Sequence, residues 1–226
     1  MRLKWILVSW LLIVPWSSHA NERSGTFNQR IVTSAEANLQ IEKAVALVEA
    51  LAPEAKGSIP NPLLKEAKAL VVITEMTWIN IGIGGNLGRG IAVVREDDHQ
   101  WSYPSLVSLA GGSFGAPLKE TTNIVLLFKN RTQLEKMSKI TLSSNLGLMP
   151  GPINQVKTHF DAEIYAYSHH REVFAGISLQ GLVLESDQAG NKALYGKEIQ
   201  TTDIFAGKVT NSSSAIQQLQ EILQKF

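Results

Sequence analysis

The segment Gly111-Gly-Ser113-Phe-Gly115 has the G-x-S-x-G spacing of a nucleophile elbow, which presents a serine Oγ at a sharp strand-to-helix turn. His159, Asp161, His169 and His170 follow it as possible base and orienting groups. The surrounding residues argue against that chemistry. Pro117 would break the hydrogen bonding of the helix an elbow requires, and Thr121-Thr-Asn123 leads into another strand. A glycine-rich turn between strands is therefore the favoured reading, and a serine hydrolase using Ser113 is a minor alternative. A second glycine run, Gly82-Ile-Gly84-Gly85-Asn-Leu-Gly88-Arg-Gly90, invites comparison with a phosphate cradle. A dinucleotide fingerprint needs glycine where Leu87 stands and a helix afterwards, whereas a strand-like run follows here. Gly85-Asn86 instead predicts a hairpin turn, with glycines baring the strands on either side.

Adjacent histidines at 169 and 170 would point to opposite faces of a strand, and no further ligand falls at a diagnostic spacing, so no metal is expected. The chain has no cysteine, which excludes disulfides, thiolate metal sites and a cysteine nucleophile. No cofactor is expected. Lys129, Arg131, Lys136 and Lys139 against Glu135 form a local basic cluster that could receive an anionic headgroup, with Trp78, Trp101 and Phe114 as possible apolar contacts. Asn130-Arg-Thr132 and Asn211-Ser-Ser213 are glycosylation acceptors only in a cell that glycosylates its exports.

These groups need elements to hold them. Arg2 and Lys4, an apolar run from Trp5 to Trp16 and Ser18-His19-Ala20 predict a cleaved signal peptide at 1–20 and a single domain over 21–226. The product is expected in the periplasm of a Gram-negative source, or otherwise secreted. The whole chain carries a net charge of +1; without Arg2 and Lys4 it has 19 basic and 20 acidic residues, which gives no general attraction to nucleic acid. Thr33-x-x-Glu36 predicts a capping box for a helix ending near Pro53, with Ala37, Ile41, Ala44, Val45, Val48, Leu51 and Ala52 along one face. Leu63 to Lys68 predicts a short helical turn. Strands are predicted at 69–74, 77–83, 90–95, 100–103, 123–129, 161–167 and 173–184. Thr132-x-x-Glu135 and Ser214-x-x-Gln217 open two further helices. Short connections favour antiparallel pairing, and hence an α+β domain with a curved sheet or small barrel between amino-terminal and carboxy-terminal helices.

An ordered set of motifs carries a resemblance: Ala67-Lys68-Ala-Leu-Val-Val-Ile73, the glycine run 82–90, Trp101-Ser102-x-Pro104, Gly111 to Gly115, Val125-Leu-Leu-Phe128 and Gly151-Pro152. It continues through Tyr165-Ala-Tyr167-Ser168, Phe174-Ala-Gly176, Leu184-Glu185, Asn191, Tyr195-Gly196 and Asp203-Ile204. Over about 59–207 the chain resembles the SYLF-domain family, as a bacterial exported member. The resemblance implies a non-catalytic domain that binds a phospholipid or membrane surface, with an envelope protein as the alternative partner. Eukaryotic members bind phosphoinositide membranes and actin; actin is not expected as a partner of an exported bacterial protein. The chain departs from the family at Ala116-Pro117 and in a first helix that is net acidic.

Overall fold

A computed structural model describes residues 32–51, 59–97, 100–135, 139–142, 146–150, 162–168 and 179–225. Of 80–83, 113–120 and 147–150 only the backbone is described. Contacts divide the chain into Met1–Arg30 and Ile31–Phe226, and everything described belongs to the second unit. The expected signal peptide, Lys136, His159, Asp161, His169 and His170 lie outside the described residues.

The first helix, α1 (Ser34–Ala50), starts where the capping box predicts: the Thr33 side chain accepts from the Glu36 N–H while the Glu36 carboxylate accepts from the Thr33 N–H. Its apolar stripe, Ala37, Ile41, Ala44, Val45 and Val48, is buried. A short α2 (Asn61–Glu66) leads into two long strands, β1 (Ala69–Val94) and β2 (Ser105–Phe128). There follow α3 (Thr132–Glu135), β3 (Lys139–Thr141), β4 (Leu146–Pro150), β5 (Ile164–Ser168) and β6 (Val183–Ser186). Three helices end the chain: α4 (Gln188–Tyr195), α5 (Thr201–Phe205) and α6 (Ser214–Leu223). The last is capped by Ser213, one residue before the expected cap. Neither α4 nor α5 was legible in the sequence, being short and held by tertiary contacts.

The strands form one sheet, antiparallel except for β4 against β5, with β6 and β5 on opposite halves of β2. The organising unit is the β1–β2 ribbon, paired from Ala69↔Phe128 to Ala92↔Ser105. Here the expected turns are corrected. Gly82, Gly84, Gly85, Gly88 and Gly90 all lie within β1, and Gly111, Gly112 and Gly115 within β2. The two glycine runs are each other's partners, Gly82↔Gly115 and Gly85↔Gly112, and the hairpin connection is the segment 95–104. Gln100 to Tyr103, expected as a strand, makes only the isolated bridge Arg95↔Trp101.

The ribbon also doubles back on itself. The Arg95 N–H donates to the Lys68 carbonyl at 2.8 Å, Gly90 lies against Val72 and Gly88 against Met76. These contacts place the two halves of β1 side by side in antiparallel sense. A Cβ at Gly90 would stand 1.8 Å from the Val72 carbonyl oxygen, so only glycine permits the approach. Bending is concentrated at bulges. Thr74 and Glu75 together oppose Asn123, and Glu75 takes a left-handed φ of 56°. Its N–H donates to Asn123 Oδ1 at 3.0 Å, and its carboxylate meets Lys43 Nζ of α1 at 2.6 Å. From α1, Gln40 donates to Thr74 Oγ1 and, at 3.1 Å, to the Arg89 carbonyl, tying both halves of the ribbon to the helix.

Both faces of the sheet are buried, which is why 69–73, 91–94 and 124–128 read as unbroken apolar runs. One face, with Leu70, Val72, Ile91, Val93 and Val125, packs against α1, α2 and α6. The other, with Val71, Ile73, Ala92, Val94, Ile124 and Leu126, packs against Leu134 of α3 and Ile204 and Phe205 of α5. A buried polar knot fixes the carboxy-terminal segments to β2. Asn191 accepts from the Leu106 N–H at 2.7 Å and donates to Ser105 Oγ, Ser186 Oγ and the Leu106 carbonyl, while Thr201 bonds both serines.

Gly90→Ala is expected to destabilise the fold by about 3 kcal/mol or more, because the obstacle is backbone and cannot rotate away. Gly112→Ala, whose Cβ would meet nothing nearer than 4.0 Å, should stay within about 0.5 kcal/mol of the parent. Urea denaturation of both variants checks the contrast; equal stability would contradict the doubled ribbon.

Candidate functional site

Helix α1 covers the ribbon as far as Thr74 and Arg89; the large apolar side chains that the described structure leaves in water are Ile79 and Leu87 on the ribbon beyond and Leu39 on α1 itself. Leu39, Ile79 and Leu87 are 49%, 49% and 55% exposed. Leu39 precedes Gln40, which makes the crossing contact. Past the bulge, strand alternation turns Thr77, Ile79, Gly85 and Leu87 outward, and Met76, Trp78, Asn86 and Gly88 inward. Gly85 and Gly112 pair across the ladder with no atom nearer than 3.9 Å to where their side chains would begin, so the outer surface here is bare backbone between apolar side chains. Arg89, half-buried beside Leu87, has no ion-pair partner among the described residues.

The residues expected from sequence to form a lipid site are dispersed. Trp78 is 1% exposed inside the second core and Trp101 is 8% exposed in the first. Both indoles are thus core side chains here and offer no surface contact. Phe114 is described in backbone only, paired with Ile83. Three of the cluster's cations meet carboxylates: Lys129 with Glu66 at 3.5 Å, Lys139 with Glu185 at 2.9 Å, and Arg131 with Glu135 at 2.8 Å, Glu96 at 3.2 Å and Asp97 at 3.5 Å. Arg131 also donates to the Arg95 carbonyl at 2.9 Å, so it braces the 95–97 segment. Ser113 lies inside β2 opposite Gly84, with no strand-to-helix turn around it, which removes the elbow geometry. Among the described residues no group of three or more metal-ligating side chains comes together.

Sequence reasoning missed two features. Treating Gly85-Asn86 as a turn hid the outward placement of Leu87; the signal was the matched glycine runs, which pair as strands. It also missed Arg95, a 5% exposed guanidinium lying 4.4 Å over the Trp101 ring and donating to the Lys65 carbonyl at the end of α2. Burial pulls Arg95 below its ordinary value. The Trp101 indole N–H donates in turn to the Leu223 carbonyl at the end of α6, so this cation–indole pair receives the carbonyl ends of two helices.

The family model described as "Ysc84: Las17-binding protein actin regulator" matches residues 110–226, from the middle of β2 through α6. The chain belongs to the Ysc84 family, as the SYLF resemblance anticipated. Curated relatives include an SH3 domain-containing protein of Schizosaccharomyces pombe, 30% identical over 168 residues, 70% of this chain and 39% of that protein. The SH3 domain-containing YSC84-like protein 1 of Bos taurus is 29% identical over 177 residues, 74% of this chain and 51% of its own length. Protein YSC84 of Saccharomyces cerevisiae is 29% identical over 162 residues, 67% of this chain and 34% of its own length. The chain thus spans between about a third and a half of these relatives. No solved structure matches it. The match to the Ysc84 family model takes in Asn191, Ser186 and Thr201 of the polar knot, but not Ser105 and Leu106, together with the β2 half of the glycine ladder.

Arg131→Ala is expected to lower stability by about 1–2 kcal/mol, since it removes charge-assisted bonds to Glu96 and Glu135 and a backbone brace at a side chain only 24% exposed. Denaturation of the purified variant measures this. A stability equal to the parent's would show that the cluster is free surface charge.

Proposed function

We propose that this Ysc84-family chain is a non-catalytic module that docks reversibly on a phospholipid surface through the open end of its glycine ribbon. The observation that carries this reading is the exposure of Ile79 and Leu87 on the ribbon beyond the contacts of α1, with Arg89, which has no ion-pair partner among the described residues, on the same face as Leu87. Full burial of such a side chain contributes about 1.5–3 kcal/mol, so two half-exposed ones support weak, reversible attachment. A basic residue near an anionic surface adds about 1 kcal/mol, which screening by salt reduces. The export expected from residues 1–20 completes the reading, with the surface belonging to the cell envelope. Actin is not part of it.

A second reading, a protein-interaction module, draws on the names of relatives: the family is described as Las17-binding, and a Saccharomyces cerevisiae relative is called LAS seventeen-binding protein 3. Under it the same apolar end would receive a protein partner of the envelope.

Flotation with neutral and anionic liposomes at low and moderate salt separates the two. The lipid reading expects flotation, stronger on anionic vesicles and weaker as salt rises. It also expects a loss of about tenfold or more in the double variant Ile79→Asp, Leu87→Asp, whose melting temperature stays near the parent's because both sites are exposed. Flotation unaffected by that variant would remove the ribbon end from the reading, and no flotation on any composition would leave the protein partner.

A further inference from the structure

Trp78 and Asn86 sit one residue inward from the exposed Ile79 and Leu87, and each carries an unmet hydrogen-bonding group. The Trp78 indole N–H and Asn86 Oδ1 are buried without any hydrogen-bond partner, in side chains 1% and 5% exposed. Leaving such a group unpaired costs about 1–3 kcal/mol, so two at one place are a burden the fold gains nothing from by itself.

Their relative placement follows from the doubled ribbon. A Cβ at Gly88 would stand 2.6 Å from Met76 Sδ and 3.1 Å from Met76 Cα, so residue 76 faces residue 88. Extended by two residues from the Gly88–Met76 contact, the antiparallel register sets Trp78 opposite Asn86. The alternation of burial puts both on the inner side: Asn86 is buried between exposed Gly85 and Leu87, and Trp78 between half-exposed Thr77 and exposed Ile79. Across the ladder Asn86 is paired with Gly111, which brings no side chain of its own to satisfy the amide. The space beside Gly111 is taken by Leu182, an apolar group.

We infer that Trp78 and Asn86 form a recognition point for a neutral hydroxyl group. A hydroxyl oxygen accepts from the indole N–H while its proton is donated to Asn86 Oδ1, so one small group meets both demands. A carboxylate or phosphate oxygen has no proton to give Asn86, and an ammonium has no lone pair for Trp78. Gly84, next to Asn86 on the same face of the strand, adds no side chain between this pair and the ribbon end. The hydroxyl belongs to a polyol, either the glycerol headgroup of a lipid, which rests on the docking reading above, or a free polyol.

The test follows the Trp78 indole N–H resonance in the full 15N-labelled chain, assigned with Trp78→Phe. The probes are free glycerol, vesicles of phosphatidylglycerol, and vesicles of phosphatidylmethanol, which has the same charge and no headgroup hydroxyl. The site predicts a downfield shift with phosphatidylglycerol and none with phosphatidylmethanol, a two- to tenfold (~) preference in affinity for the first lipid, and loss of both in Asn86→Leu. Asn86→Leu should melt at or above the parent temperature, because it removes an unpaired acceptor; Asn86→Ala serves if leucine overpacks. An identical response to both lipids, a response retained in the Asn86 variants, or a resonance already downfield in polyol-free buffer and unmoved by any probe, which marks an ordered water only, would overturn it. Flotation without a shift overturns the hydroxyl site and leaves lipid docking intact. A shift with free glycerol and no flotation upholds the site and overturns the lipid as its source.

Discussion

Where Gly90 passes Val72 there is room for two backbones and no side chain, and the rest of the sheet is built on that approach. Without it β1 and β2 would be an extended two-stranded ribbon with both faces open to water, a form too thin to bury a core. With it, the two halves of β1 lie together, β2 flanks them on either side, and β5 and β6 can add to opposite halves of the same strand. Two apolar faces result, one for α1, α2 and α6, the other for α3 and α5.

The helices are then fixed by polar contacts that apolar packing alone could not orient. Arg95 and Trp101 gather the carbonyl ends of α2 and α6, Asn191 holds α4 to the first residues of β2, and Gln40 spans both halves of the ribbon from α1. Each is a buried or half-buried group whose partners include backbone atoms of distant segments, so each specifies a single arrangement. The ribbon end differs in combining unmet polar groups with exposed apolar side chains; elsewhere among the described residues Asn38 Oδ1 and Arg95 Nη2 are also buried without a hydrogen-bond partner. Past the Glu75 bulge the Trp78 indole N–H and Asn86 Oδ1 go unmet, and Ile79 and Leu87 face water. Departures of this kind concentrate where a structure serves something other than its own stability.

Much of this was legible before any coordinates. The α1 cap, the family resemblance and the antiparallel α+β class all rest on local patterns, such as Thr33 with Glu36 or the Ile124–Phe128 run, that tertiary structure has no reason to override. The glycine runs misled because a Gly-Asn pair is a strong local turn signal, and only the partner run at 111–115 reveals that it is strand. The basic cluster looks different in space than in one window of sequence. Glu66, Glu96 and Glu185, which engage Lys129, Arg131 and Lys139, are remote in sequence, so the positive surface seen in one window is matched in space. Trp78 and Trp101 could be read as core or as surface, core being the commoner place for a tryptophan in a sheet, and the doubled ribbon and the ends of α2 and α6 place both inside.

The proposed lipid docking assigns membrane entry to the ribbon end, and not to the basic cluster or to the connecting segment 95–104. The absence of native cysteine makes a direct measurement clean: a nitroxide on Leu87→Cys, compared with one on Asp97→Cys in the connecting segment, with accessibility to oxygen and to a water-soluble nickel complex read by power-saturation EPR on anionic vesicles. The account predicts that at residue 87 vesicles raise oxygen accessibility and suppress nickel accessibility, while residue 97 stays aqueous. Aqueous behaviour at 87 with burial at 97, or no change at either on vesicles that the protein demonstrably binds, would contradict it.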